Sequence, residues 1–299
     1  MRILLAGGSG FIGAWIARRL LARGDDVVVF DVAGKPKVFD VIVGAAASRI
    51  TWISGDIVDG EGVLAAARGC DGIINLAGLL TPACQADPVR GAKVNLLGTL
   101  NTFEAAVRLG IRRNVYTSSA GVFGPGDGRV PRPVTHYGAF KLACEGSARA
   151  YLADHGVPSV GFRPFIVYGP GREIGLTAGP SLACRAAALG ERYVIPYTGS
   201  GGLVYVDDVA AAYERALTMA PDGAHVFNLV GELASNEDVI AAIRTVVPDA
   251  QLSVEGPDMR IAADVDEGDL AEVMPGLPRT TLADGVAETI AFYRQHGRP

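Results

Sequence analysis

RILLAGGSGFIG (residues 2–13) carries the architecture of this chain. RILLAG (2–7) is a continuous apolar run suited to a parallel strand buried on both faces. Three glycines at 7, 10 and 13 follow, and from Trp15 to Leu21 the apolar residues recur at helical spacing. Strand, glycine turn and helix in that order open a βαβ unit. Gly7 suits the tight turn, Gly10 admits a pyrophosphate to the backbone, and Gly13 lets the helix pack closely on the strand. The phosphates are expected to rest on that helix's N-terminus. VVVFD (27–31) is a second buried strand, ending about 20 residues on in Asp31. An acid there accepts ribose hydroxyls and repels a 2′-phosphate, favouring NAD over NADP, a preference that Lys35 and Lys37 weaken without reversing.

More βα units follow. ITWISGD (50–56) ends in Gly55-Asp56, and GIINLAG (72–78) ends in Ala77-Gly78, where small residues let a ligand approach the backbone. A helix is expected over 89–109 with Asn95 inside it, and VYTSSAGVFG (115–124) reads as a strand that delivers Ser118 and Ser119 at its carboxyl end. Doubly wound sheets bind their ligands along that edge. THYGAFKLACE (135–145) reads as helix, so Tyr137 and Lys141 share one face a turn apart. A phenol with its ordinary pKa of ~10 is a poor base, and a neighbouring ammonium favours its ionised form. A serine hydroxyl beside that phenol can share a substrate oxygen with it. Asn95 either anchors a water beside Lys141 or caps backbone within its own helix.

GGSGFIG, Asp31, Asp56-Ile57, NLAG (75–78), VNLLGT (94–99), TSSAGVFG (117–124), YGAFK (137–141), RPFIVYGPG (163–171) and VYVDDVAAAY (204–213) stand in the order of one family. The chain resembles the extended short-chain dehydrogenase/reductases, in the NAD-dependent epimerase/dehydratase branch. The resemblance implies a Rossmann-type α/β fold, a doubly wound parallel sheet with a smaller C-terminal substrate lobe. It implies that Tyr137 is the general acid/base, that Lys141 holds the ribose and favours the phenolate, and that Ser119 is the catalytic hydroxyl. The NAD site would comprise Gly7, Gly10, Phe11, Ile12, Gly13, Asp31, Asp56, Ile57, Leu76, Ala77, Gly78, Asn95, Ser118, Tyr137, Lys141 and Phe165. Within it Asp56 and Ile57 flank the adenine, Leu76 to Leu80 line the dinucleotide, and Phe165 closes the nicotinamide side. Ser118 is a cofactor or secondary contact. A homodimer built on helices around Val89–Leu109 and Tyr137–Asp154 is also implied.

The chain has 299 residues, 49% hydrophobic and 20% charged, enough for a large core. Residues 1–171, completed by about 204–230, are expected to form the NAD-binding domain, and 172–203 with 231–299 the substrate lobe, because RPFIVYGPG ends the regular alternation of elements. Arg172 to Tyr197 reads as a helix with flanking loops, 204–217 as a helix, and 282–297 as a final helix capped by Thr281 or Asp284. A net charge of −5 without a basic stripe argues against nucleic acid as a partner. No run reaches 18 apolar residues and no charged leader precedes the first strand, so neither a membrane span nor a targeting segment is expected and the location is cytoplasmic. Four isolated cysteines suit reduced thiols, and the four histidines lack metal-ligand spacing.

The substrate pattern departs from the resemblance. Members acting on nucleotide-linked sugars usually carry an Asn where this chain has Ile166 and an Arg where it has Gly201, and neither replacement can hold a phosphate. The acidic pair of the dehydratases is replaced by Ala120-Gly121. The expected reaction is therefore hydride transfer at a secondary alcohol of a small polar substrate, a sugar, sugar acid or hydroxy acid. Leu80, Thr81, Ser119, Val122, Phe123 and Arg172 are the candidate substrate contacts. Arg129, Arg132, Arg172, Arg185 and Arg192 are candidate cations for a carboxylate, Arg172 first because it follows the cofactor-site strand. Two alternatives stay open: a sugar or nucleotide-sugar epimerase with tightly bound NAD, and a non-catalytic NAD-binding regulator.

Overall fold

The computed structural model describes residues 1–124, 130–219, 222–258, 265 and 267–298. The strands among them are β1 Arg2–Ala6, β2 Asp26–Asp31, β3 Thr51–Ser54, β4 Gly72–Asn75, β5 Arg113–Thr117, β6 Ser159–Pro164, β7 Ile166–Tyr168, β8 Tyr193–Ile195, β9 Ser200–Tyr205, β10 Ala224–Leu229, β11 Glu232–Ser235 and β12 Leu252–Val254. Seven form one parallel sheet in the order β10-β6-β5-β4-β1-β2-β3. The winding reverses between β1 and β4, which opens a crevice at their carboxyl ends. Successive residues of the central strands feed opposite faces. Ile3, Leu5, Val27 and Val29 pack with Ile16 and Leu20 of helix Phe11–Arg23 and Val209 and Tyr213 of helix Val206–Thr218. Leu4, Ala6, Val28 and Phe30 pack with Val63 and Leu64 of helix Gly60–Ala67 and Phe103 of helix Gly98–Leu109.

Beyond the large sheet, β11, β9 and β7 form a second one, and β12 pairs with β8. The apolar core of the first helical face continues without a break into Cys184 and Ala187 of helix Gly179–Leu189 and Val286 and Ile290 of helix Leu282–His296. Trp15 donates its indole N–H to the Pro170 carbonyl at 3.0 Å, and Arg19 forms a two-pronged ion pair with Asp207 at 2.7–2.8 Å. The glycine-turn helix is thus tied to both the 169–171 turn and the helix after β9.

Four local expectations change. The run 115–124 is not a strand throughout: β5 ends at Thr117, and after Ser118 and Ser119 the chain makes a 3-10 turn at Ala120–Val122. The helix expected over 89–109 contains one π-helical turn, Lys93–Leu97, centred on Asn95. Residues 172–197 hold helix Gly179–Leu189 and then β8, and the 204–217 segment starts inside β9, its helix beginning at Val206. Gly13 packs on the Gly8 backbone rather than on the strand, a Cβ there lying 2.2 Å from the Gly8 carbonyl oxygen. Helix Leu282–His296 is capped by Thr281, whose side chain accepts from the Asp284 N–H.

Candidate active site

Gly7 takes φ +71°, and its backbone lies against that of Ala77, so that an added Cβ would come within 2.4 Å of the Ala77 Cα. The turn then enters helix Phe11–Arg23 through Gly10, which offers no side-chain cap and is followed by no acid in the first turn. The helix's first N–H groups therefore face the sheet edge without an acceptor. A Cβ on Gly10 would meet nothing within 4 Å, so open space lies above those groups. Asp31 closes the other side. Its Oδ2 accepts from Ser9 N (3.1 Å) and Ser9 Oγ (2.7 Å), and its Oδ1 from Ala33 N (3.0 Å). These bonds orient the carboxylate and leave it lone pairs for ribose hydroxyls. Lys35 pairs with Asp40, away from Asp31.

Along the same edge, Asp56 accepts from Val58 N, and the Ile57 side chain is buried against Gly98. Leu76 and Ala77 are half-buried and Gly78 is exposed. A Cβ on Gly78 would lie 2.8 Å from Asn95 Oδ1 and 3.5 Å from Lys141 Nζ, which puts those two polar groups beside the β4 end. Asn95 is fully buried. Its amide donates to the carbonyls of Gly91 and Leu79, while its Oδ1 has no partner. The Asn95 amide thus binds backbone, while its orphaned oxygen and Lys141 Nζ both lie beside Gly78. An uncapped helix terminus, an oriented acid and an orphaned buried oxygen on one edge fit a dinucleotide.

Tyr137 and Lys141 occupy one face of helix His136–His155, which Thr135 caps by accepting from Gly138 N at 3.0 Å. Lys141 is buried, donates to the Thr117 carbonyl at 2.7 Å, and lies 5.7 Å from the centre of the Tyr137 ring. Ser119 Oγ accepts from Gly121 N at 3.0 Å, so its hydroxyl hydrogen stays free for another acceptor. A Cβ on Gly121 would stand 3.3 Å from Ser119 Oγ and 3.6 Å from Tyr137 Cδ1. The serine and the phenol ring, 18 residues apart, therefore flank one small space.

Three expected contacts turn away from that space. Ser118 is 1% exposed and donates to Glu145 Oε1 at 2.5 Å, because Glu145 is buried with Arg163 as its two-pronged partner at 2.6–2.7 Å and takes up that hydroxyl. Val122 and Phe123 are enclosed in a small core with Ala120, Phe165 and Val230, and the Phe123 ring lies under the Arg163 guanidinium. Both side chains are buried there beside the Ser119 turn. Phe165 lies in that same cluster.

On the substrate side, Leu80 and Arg172 converge: a Cβ on Gly175 would lie 3.5 Å from Leu80 Cδ1 and 3.6 Å from Arg172 Nη2. Thr81 opens the short helix Thr81–Ala86 beside Leu80. Arg185 pairs with Glu173 and Arg192 with Gln251, Arg132 is exposed, and Arg129 lies outside the described residues. Three participants escaped the sequence reading. Thr117 acts through its backbone carbonyl, which no side-chain motif reveals, and its hydroxyl donates to the Asn75 carbonyl (3.0 Å) and meets Tyr213 OH at 2.8 Å. Glu145 continues the Tyr137–Lys141 stripe at the next i+4 position, a spacing that was visible. Ser9 lies within the glycine turn itself.

The family model of the NAD-dependent epimerase/dehydratase family matches residues 3–230. Over 98% of its length the chain is 32% identical to the UDP-glucose 4-epimerase of Mycolicibacterium smegmatis, 99% of which is covered. Among solved structures, the Thermus thermophilus UDP-glucose 4-epimerase complexed with NAD superposes with a TM-score of 0.84 at 26% identity, covering 99% of this chain and all of the other. A partial-consensus L-threonine 3-dehydrogenase superposes with a TM-score of 0.87 at 25% identity, with 99% and 100% covered.

Proposed function

The chain belongs to the NAD-dependent epimerase/dehydratase family, and on that premise we propose that it oxidises a secondary alcohol of a small polar substrate, a sugar, sugar acid or hydroxy acid. The observation that carries the proposal is the space at Gly121, flanked by the Ser119 hydroxyl and the Tyr137 ring. NAD bound along the sheet edge supplies the hydride acceptor. Ser119 donates its free hydrogen to the substrate oxygen, and the Tyr137 oxygen takes the alcohol proton. Lys141, held by the Thr117 carbonyl, keeps a positive charge beside the ring that carries the negative one. The uncapped N-terminus of helix Phe11–Arg23 receives the phosphates and Asp31 the ribose. Residues 172–203 and 231–299 serve as the substrate lobe.

Two features speak for an unlinked substrate. Ile166 is buried in the core, and Gly201 sits in β9 opposite Ala234, so neither brings a phosphate ligand. The second reading, nucleotide-sugar 4-epimerisation, is favoured by the full-length likeness to a UDP-glucose 4-epimerase. The test is a screen of the NAD-loaded protein against free sugars, aldonates, uronates and uridine or thymidine diphosphate sugars. NADH accumulation with an unlinked substrate is expected. Epimer formation from a diphosphate sugar without free NADH would replace the first reading by the second, and NAD binding with no turnover would favour the regulator. We further propose a homodimer through the face that carries Val89 and Leu97, 67% and 45% exposed; sizing chromatography should give twice the 31.0 kDa chain mass.

A further inference from the structure

Arg172 stands apart from the other arginines near the substrate lobe. Its guanidinium donates to the Val167 carbonyl and to Thr177 Oγ1 (2.7 Å), and among the described residues no carboxylate pairs with it. Arg185, by contrast, has Glu173, and Arg163 has Glu145. Two neutral acceptors orient the planar fork, leave other N–H groups available, and do not neutralise its charge. A half-buried cation without a counter-charge is costly to hold unless an anion arrives to share the space.

A second polar group nearby also lacks a partner. Tyr197 is 3% exposed and its hydroxyl, although buried, makes no hydrogen bond. The two are brought together through the start of helix Gly179–Leu189: Arg172 binds Thr177, and the Tyr197 ring packs at Gly179, where a Cβ would lie 3.2 Å from Cε1 and 3.5 Å from the hydroxyl. The Arg172 charge acts on Tyr197. Burial brings the guanidinium down to about 10, which leaves it a cation at neutral pH. The same Nη2 that binds Thr177 also meets Leu80, a residue of the expected substrate wall, at Gly175.

We infer that Arg172 and Tyr197 form the receptor for one carboxylate of the substrate, with the guanidinium as charge partner and the tyrosine hydroxyl as a second donor. The inference rests on the reading that Ser119 and Tyr137 hold the reacting alcohol, and it narrows the substrate to a hydroxy acid or sugar acid. A single buried cation balances a single carboxylate. A diphosphate would bring more negative charge than one guanidinium offsets, and Ile166 and Gly201 add nothing to hold it.

The test is calorimetric titration of the NAD⁺-saturated protein with glycerate and galacturonate, against glycerol and galactose as their neutral counterparts and uridine diphosphate as the alternative anion. At least one carboxylate should bind saturably while its neutral counterpart does not. Arg172→Gln should weaken that binding about tenfold to a hundredfold and Tyr197→Phe about tenfold, with NAD⁺ affinity unchanged in both. Arg172→Lys, which keeps the charge and loses the fork, should fall between wild type and Gln, and covers the case in which Gln fails to fold. Equal binding of neutral and acidic probes, a preference for uridine diphosphate, no carboxylate binding at all, or full affinity in Arg172→Gln or Arg172→Lys with Tyr197→Phe also unchanged would overturn the inference. Failure of the hydride-transfer reading looks different: carboxylates bind through Arg172 while no acid is oxidised. A neutral alcohol oxidised by a protein that ignores carboxylates would sink the receptor and leave that reading standing.

Discussion

Tyr137 is, in the proposed reaction, the group that takes the alcohol proton while Ser119 donates to the substrate oxygen. Tyr137→Phe should lower kcat by about 10²–10⁴-fold and leave NAD⁺ affinity within about twofold, measured by steady-state kinetics and calorimetry. At the opposite end of the site, Asp31 accepts from both the backbone N–H and the hydroxyl of Ser9 and keeps lone pairs that, in the proposed site, receive the ribose. Asp31→Asn keeps an acceptor for those bonds and removes the negative charge that repels a 2′-phosphate. The ratio of NAD⁺ to NADP⁺ affinity should fall by about tenfold or more in a direct titration; an unchanged ratio would remove Asp31 from the ribose site. Neither variant touches the apolar core, so melting temperatures should stay close to wild type.

Two elements set the distance between the phenol and the serine: helix His136–His155 and the 3-10 turn at Ala120–Val122. Gly138 lets them meet. A Cβ at that position would stand 2.2 Å from the Gly121 carbonyl oxygen and 2.9 Å from Pro133 Cβ, so Gly138→Ala has to push the helix off the turn. A cost of about 1–3 kcal/mol is expected from such overpacking, with a loss of kcat larger than the loss of NAD⁺ affinity, since the helix start carries Tyr137. The same helix is pinned further along by Glu145, which accepts from Ser118 and both prongs of Arg163 in a buried setting. Glu145→Ala leaves Arg163 without its counter-charge and should destabilise the protein by about 3–5 kcal/mol in urea unfolding. Here sequence reasoning reached Tyr137, Lys141 and Ser119 through spacing and motif order. How Ser118, Val122 and Phe123 pack was not legible there, because the direction in which a side chain leaves a loop depends on which distant partner claims it. Ser118 is claimed by Glu145, 27 positions away.

Across the whole molecule, burial raises the four cysteine thiols and several buried tyrosine phenols, Tyr197 among them. All four cysteines are buried and unpaired with one another; burial pushes the Cys184 thiol from 9.0 up to about 12 and the Tyr197 phenol from 10.0 up to about 12. In the unfolded chain these groups ionise at their ordinary values, whereas the folded protein holds them protonated. Their contribution is therefore intact below about pH 9 and is lost as pH rises from there toward 12. The melting temperature should be level through neutral pH and decline above about pH 9, and a thiol reagent should find four groups only after unfolding. A native protein whose thiols titrate rapidly at neutral pH would contradict the packing of Cys84, Cys144 and Cys184.

Local order along the chain was enough to establish the parallel sheet, the glycine turn, the acid at the end of the second strand and the stripe that bears Tyr137 and Lys141. Each of these depends on contacts between near neighbours: strand runs, helical periodicity and tight turns are short-range physics. Folding alone settled the rest. It brought Leu80 and Arg172 to one glycine, set the orphaned Asn95 oxygen beside Gly78 through a π-helical turn, recruited the Thr117 carbonyl, and left, among the described residues, Arg172 without a carboxylate partner and the Tyr197 hydroxyl without a hydrogen bond. Such pairings join positions far apart in the chain, and burial makes each polar group's satisfaction depend on everything packed around it.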